Sequence, residues 1–215
     1  MKIISLITCC LISFCQFAQQ SIIFKNPLPT REGKVLTVDR SNYGTFKTSD
    51  EMINYIFDDK GVSVYSTTIS SISKEMIREM AKYDVRNGYL FGIIEDDSIP
   101  CVFEDDRYYF GLRTEQTIVG EDTRSQLTKI SRNEYLLNSW VDGNFVPTHI
   151  RFNANGCEFS YFDYGEDDLF FNEIRKKQIL HGEYFQVLIL DPDQKETTKL
   201  LKEKIFSETQ KLTKI

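Results

Sequence analysis

The chain has 215 residues, a formal net charge of −6 and a sequence pI near 5.1. Its basic residues are scattered, whereas a surface for nucleic acid or an anionic membrane requires a basic patch or stripe. The charge pattern therefore argues against both kinds of partner. It favours a soluble protein, or a protein with a cationic partner.

The first eighteen residues are typical of a secretory signal peptide. Lys2 precedes an apolar run of about fifteen residues, which is shorter than the roughly 20 residues of a transmembrane helix. Cleavage after Ala18 fits better than lipidation of Cys15, which lacks a small preceding residue; a retained N-terminal anchor is the third alternative. We therefore expect a signal peptide at 1–18, one domain at 19–215 without a membrane span, and a periplasmic or secreted location.

Cleavage of this signal would leave two cysteines, Cys101 and Cys157. In an oxidising compartment two remaining cysteines are a natural disulfide pair. Alternatively, both thiols are buried and unpaired, and act as small apolar side chains. The sequence leaves both alternatives open.

The middle of the chain has the pattern of an antiparallel meander. Segments rich in Tyr, Phe, Ile and Val alternate with turn sequences such as EDDSIP, GEDT, DGN and NANG. We expect an α+β fold with about seven or eight strands, as a half-barrel or a lipocalin-like barrel, flanked by N- and C-terminal helices. The predicted strands lie near 88–95, 100–104, 107–119, 124–131, 134–141, 144–152 and 157–164.

Helix signals lie on both sides of this meander. In TSDEMINYIF, Thr48 and Glu51 have the spacing of a capping box, and in ISKEMIREMAKY Ser73 is placed to cap a helix. After the meander, the sequence predicts a short helix in EDDLFFNEIRKKQ, with acidic residues first and basic residues last. A strand in EYFQVLIL and a C-terminal helix from about Lys195 follow.

The turn Asp142-Gly143 fixes the register of one hairpin. This pair favours a two-residue primed turn, so Val141 should face Asn144, with pairing continued along both strands. One face of the hairpin then forms part of the core. Its members are Tyr135, Leu137, Val141, Val146, Ile150 and Phe152.

The opposite face of this hairpin is the candidate ligand surface, because it combines aromatic, imidazole and charged groups. The register places Trp140 beside Phe145, Leu136 beside His149, and Glu134 beside Arg151. The candidate ligand-binding residues are Glu134, Trp140, Phe145, His149 and Arg151. Alternatively, solvent or a helix covers this face, with Trp140 as the anchor of the helix.

Two further features concern the next strand. Pro147 has no N–H group, and its nitrogen points toward the strand near 157–164, so pairing with that strand should be interrupted there. In the NANG turn, a two-residue loop would keep Cys157 on the core face, whereas a three-residue loop with a bulge at Gly156 would turn it away. The hydrophobic pattern favours the first loop and the turn chemistry favours the second.

The sequence contains no recognisable catalytic or cofactor motif. The repeated EDD tripeptide lacks the alternating spacing of a calcium loop and is better explained by turn chemistry. A zinc site is disfavoured because His149 and His181 are the only histidines. We expect no metal and no cofactor.

We therefore interpret the chain as an exported, non-catalytic protein. It would bind a small apolar or aromatic ligand, or a protein surface, through its antiparallel sheet. The alternative is an acidic inhibitor or immunity-type protein that blocks a basic partner enzyme. A hydrolase that uses paired carboxylates is the third interpretation.

Overall fold

The structure is a computed structural model that describes residues 20–29, 34–95, 97–162, 171, 173–181, 186–202 and 206–215. The expected signal peptide lies outside these residues, as do 166–170 and 172 of the helix expected in EDDLFFNEIRKKQ. The last six residues of that segment, 173–178, are not helical, and Lys177 and Gln178 begin a strand.

The described residues form sixteen strands in one open sheet. Two short α-helices, α1 (Lys74–Glu79) and α2 (Gln194–Lys202), and a 3-10 turn (Arg40–Asn42) accompany it. The strands are β1 (Gln20–Phe24), β2 (Lys34–Val35), β3 (Gly44–Lys47), β4 (Ile53–Asp58), β5 (Gly61–Ser73), β6 (Asp84–Arg86), β7 (Tyr89–Phe91), β8 (Ser98–Glu104), β9 (Arg107–Val119), β10 (Gln126–Ser131), β11 (Glu134–Val141), β12 (Asn144–Asn153), β13 (Gly156–Phe162), β14 (Lys177–His181), β15 (Gln186–Leu190) and β16 (Phe206–Lys214).

The sheet is antiparallel except where β1 pairs in parallel with β15. Its main path runs in the order β14, β15, β1, β12, β13, β16, β3, β4, β5, β9, β8, β7 and β6. Off this path, β11 joins β12 to β10, and β10 also pairs with β2. The expected fold of seven or eight strands with flanking N- and C-terminal helices is therefore wrong.

The N-terminal helix expected in TSDEMINYIF is replaced by strand β4. Tyr55 and Phe57 alternate with polar or outward positions and pack at the core, because β4 pairs with β3 and β5. Thr48 caps the preceding turn instead of a helix, since its Oγ1 accepts a hydrogen bond from the Ile53 N–H at 3.3 Å. Tertiary pairing thus overrides a local helix signal.

Other elements follow the expectations more closely. Strands β9 and β11 have the predicted bounds, and the Ser73 hydroxyl caps α1 by accepting from the Met76 N–H at 3.1 Å. However, β9 pairs with β5 along its length and not with β10, so the meander is interrupted. The helix expected from Lys195 exists as α2, but β16 follows it and inserts between β13 and β3.

The sheet curls around a central core. The rings of Phe57 on β4 and Phe152 on β12 are 5.1 Å apart, although three strands separate β4 from β12 in the sheet order. Such a contact requires the sheet to bend so that one face encloses the core. The buried members are Val38, Phe46, Phe57, Val62, Val119, Leu127, Tyr135, Leu137, Ile150, Phe152, Cys157, Phe159 and Leu212.

A second core lies on the other face of β11 and β12, where β1, β15 and α2 cover it. Helix α2 begins after Asp193, whose Oδ1 accepts hydrogen bonds from the N–H groups of Lys195 and Glu196, both at 2.9 Å. The Arg175 guanidinium forms ion pairs with Asp193 and Glu196. The buried members of this core are Ile22, Phe24, Leu28, Leu136, Phe145, Phe171, Ile174, Leu188, Leu190 and Leu200.

A third, smaller core, which we call the distal core, lies between α1 and one face of the strands at the far end of the sheet. Its buried members are Ile72, Leu90, Ile99 and Phe110, and Ile77 of α1 packs against them. Because α1 covers one face only, the opposite face of these strands is left without a covering element among the described residues.

Candidate functional site

The hairpin of β11 and β12 has the predicted register. Val141 pairs with Asn144, and the pairing continues without a shift to Glu134 and Arg151. Asp142 and Gly143 have φ values of 46° and 89°, which is the left-handed geometry that a primed turn requires. The local turn chemistry therefore determines which side chains share a face.

The pairing of β12 with β13 stops before Pro147, as predicted. It ends at His149, and on the same side Phe145 pairs instead with Phe24 of β1. A proline has no N–H group to donate to a neighbouring strand, so it suits the point at which β12 changes partners. This change places β1 next to the candidate ligand surface.

The first face of the hairpin belongs to the central core, except near the turn. Tyr135 and Ile150 are completely buried. Val141 was also expected in the core but is 47% exposed, because it directly precedes the turn. Val146 is half-buried.

The second face is mostly occupied by the second core. Leu136 and Phe145 are buried in it together with Leu200 of α2. Trp140 is half-buried, packs against the same core, and meets the Phe145 ring edge-on at 5.1 Å. The Arg124 guanidinium lies 5.2 Å from the Trp140 ring. The face is therefore covered in part by the protein itself, with Leu200 of α2 in the same core against which Trp140 packs.

The remaining candidate residues lie together at the other end of this face. Arg151 donates through Nε to Glu134 Oε1 at 2.9 Å, and the Arg151 side chain is 58% exposed. The His149 ring is 5.5 Å from the Phe206 ring. Burial lowers the pKa of His149, an effect that nearby Glu134 opposes and Arg151 reinforces. Burial thus makes the charged imidazolium less favourable here than in the unfolded chain.

Asn138 is a residue of this face that sequence reasoning missed. It is completely buried, and its side chain replaces a strand partner for Leu28. The Leu28 N–H donates to Asn138 Oδ1, and Asn138 Nδ2 donates to the Leu28 carbonyl, both at 2.8 Å. The hairpin register places Asn138 opposite Pro147, which was the one signal that the sequence offered. The partner of Asn138, Leu28, is 110 residues away in sequence and could not be identified from it.

Cys101 and Cys157 are unpaired and pack in different cores. Asn153 pairs with Gly156, so the NANG turn is the two-residue loop and Cys157 faces the central core. Burial raises the pKa of Cys157 to about 12. Cys101 packs against the distal core, and burial raises its pKa as well. A thiol with a raised pKa is a poor nucleophile at neutral pH.

The EDD sequence at the end of β8 forms a turn, in agreement with the turn interpretation. Asp105 and Asp106 both have positive φ values, 48° and 58°, as in a type I′ hairpin turn. They connect β8 directly to β9, where Glu104 pairs with Arg107.

Among the described residues, a second candidate surface with exposed apolar side chains lies away from the β11–β12 hairpin, on the uncovered side of the distal strands. Strand alternation places six side chains there, and we call this surface the distal face. Ile69 and Val102 are 62% and 68% exposed, and Tyr89 and Phe91 are also exposed. Its members are Ile69, Tyr89, Phe91, Pro100, Val102 and Tyr109.

The described residues contain no candidate metal cluster and no candidate membrane-spanning helix. Among them, no group of three or more His, Cys, Asp or Glu side chains could hold a metal ion. No helix within the described ranges has both the length and the apolar character to cross a membrane. Comparison of the chain with known protein families, curated proteins and solved structures finds no match.

Proposed function

We propose that this chain is an exported, non-catalytic binding protein that contacts a protein partner through its distal face. Export rests on the signal-like N-terminal sequence, in which Lys2 precedes an apolar run. Binding rests on the distal face itself. Contiguous exposed apolar patches on proteins commonly mark interaction sites.

The proposal rests on the concentration of exposed apolar side chains at the distal end of the sheet. Of the fourteen large apolar side chains that are exposed among the described residues, eight lie between residues 69 and 103. Four of these belong to the distal face, and the other four lie on α1 or nearby loops and strands, at Met76, Met80, Ile94 and Phe103.

A protein partner suits this surface better than a small ligand. The distal face spreads over four neighbouring strands, β5, β9, β8 and β7, whereas sites for small molecules are concave and enclose most of the ligand. By contrast, the aromatic pair Trp140 and Phe145 is already engaged in the protein's own second core. The antiparallel sheet therefore remains the binding element, but at a different place from the hairpin.

Site-specific photocrosslinking in cells that produce the protein tests this proposal. A photoreactive amino acid in place of Val102, at the centre of the distal face, should give a covalent adduct with a protein. The matched control is the same amino acid in place of Ile130, which is 42% exposed on β10, outside the distal face. Equal labelling at both positions, or no adduct at position 102, would contradict the proposal.

A further inference from the structure

One end of the distal face carries two opposite charges on paired strands. Arg107 of β9 pairs directly with Glu104 of β8, and both side chains are exposed. Arg107 donates through Nε to the Ser71 hydroxyl at 2.9 Å. Among the described residues, neither charge takes part in an ion pair within 4.0 Å.

The apolar residues next to these charges also form a directly opposed pair on β9 and β8. Tyr109 of β9 pairs with Val102 of β8, and each lies two residues from the charged position on its own strand. Because alternate residues of a strand share a face, all four side chains project from the distal face. On this face, β9 thus carries Arg107 and Tyr109, and the neighbouring strand β8 carries Glu104 and Val102.

This pattern is self-complementary, and we propose that the partner of the distal face is a second copy of this chain. The inference rests on the proposed binding role of that face. When two copies pack face to face about a two-fold axis that runs parallel to the strands between β8 and β9, each β9 lies over the β8 of the other copy. Arg107 then meets Glu104 twice, and Tyr109 meets Val102 twice, as an isologous interface requires.

The size of the surface sets the strength of this dimer. The patch is four strands wide, at a spacing of about 4.8 Å, and about six residues long, at a rise of about 3.4 Å per residue. Its area is therefore roughly 400 Å² per copy. This is below the roughly 800 Å² per partner of a standard stable interface, and it matches weak or transient association. We therefore expect a dimer with a dissociation constant in the micromolar to millimolar range, and sedimentation must cover concentrations up to about 1 mM.

Charge reversal separates contacts between copies from contacts within one chain. We expect Arg107→Glu and Glu104→Arg each to weaken the dimer by about ten-fold or more, because each places like charges opposite one another at two symmetric positions. Each variant also creates a like-charge pair within its own chain. An equimolar mixture of the two variants should nevertheless form a dimer, because every Glu of one copy then faces an Arg of the other.

The experiment is analytical ultracentrifugation of the purified mature chain, the two variants and their mixture, with folding checked by circular dichroism. Val102→Asp should abolish the dimer, whereas the control Ile130→Asp should not alter it. A mixture that remains monomeric, while the wild type is a dimer, would overturn the proposed axis.

Failure of the second-copy proposal can be distinguished from failure of the proposed function. A wild-type chain that stays monomeric up to about 1 mM, but forms an adduct with a different protein from position 102 in cells, would overturn self-association and leave the binding role in place. A monomeric chain without any adduct at position 102 would overturn both.

Discussion

The β11–β12 hairpin and the distal end of the sheet differ in how many of their faces are buried. In the hairpin of β11 and β12, Ile150 on one face and Leu136 on the other are both completely buried. At the distal end, Phe110 is buried beneath α1, whereas Ile69 and Val102 on the opposite face remain 62% and 68% exposed. A strand pair covered on both faces serves the fold, and a strand pair covered on one face has a surface left for a partner.

One phenylalanine substitution in the β11–β12 hairpin and one at the distal end should give the largest difference. Phe145 is 7% exposed in the second core, and Phe91 is 38% exposed on the distal face. We expect Phe145→Ala to lower the free energy of unfolding by about 3 to 5 kcal/mol, and Phe91→Ala to lower it by about 1 kcal/mol or less. Urea denaturation measures both. Similar losses would mean that the hairpin and the distal end do not differ in the stability that these side chains contribute.

The Asn138 side chain tests whether the doubly covered hairpin depends on its buried polar contact. Asn138→Ala leaves both the N–H and the carbonyl of Leu28 without their partner, and we expect a loss of roughly 2 to 4 kcal/mol in the free energy of unfolding. The control is Asn144→Ala at the tip of the same hairpin, where Nδ2 donates to the Asp142 carbonyl at 3.3 Å. Loss of less than about 1 kcal/mol for both variants would show that the Leu28 contact is dispensable.

The hairpin could be predicted from sequence because its determinants are local. Asp142-Gly143 sets the turn, and Pro147 sets the point at which β12 changes partners. Strand β4 was mistaken for a helix because its apolar residues fit both periodicities, and Thr48 with Glu51 fitted a capping box. This segment is a strand because it pairs with β3 and β5. The apolar pattern within the segment does not contain information about those partners.

The turn correctly predicts which side chains share the second face of the hairpin, but the elements that cover this face could not be foreseen. Leu200 of α2 and the Leu28 backbone approach this face from distant parts of the chain. The distal face was missed for a related reason. The YLF and SIPCVF segments carry apolar residues on both sides of their strands, and the pattern does not reveal which side α1 covers.

His149 provides a pH test of burial at the rim of the second face. Its pKa in the folded protein is lowered below the ordinary value of 6.5, with burial as the main cause. The unfolded chain therefore takes up the proton first, so this contribution to stability is complete above pH 6.5 and is lost as the pH falls toward the folded-state pKa. Urea denaturation across this range should show a smaller pH dependence for His149→Gln than for the wild type. An unchanged slope would mean that His149 is not desolvated.

The smallest effect is expected at the exposed edge of the same hairpin, where neighbouring residues point to opposite faces. Ile150 is completely buried, while the Arg151 side chain is 58% exposed and pairs with Glu134. Arg151→Ala should cost only about 0 to 1 kcal/mol, because solvent screens an exposed ion pair, whereas Ile150→Ala should cost about 2 to 5 kcal/mol. A double-mutant cycle with Glu134→Ala isolates the pair from other effects of truncation. A loss for Arg151→Ala as large as that for Ile150→Ala would mean that burial on the second face extends to its rim, leaving the distal face as the one exposed candidate surface of the two.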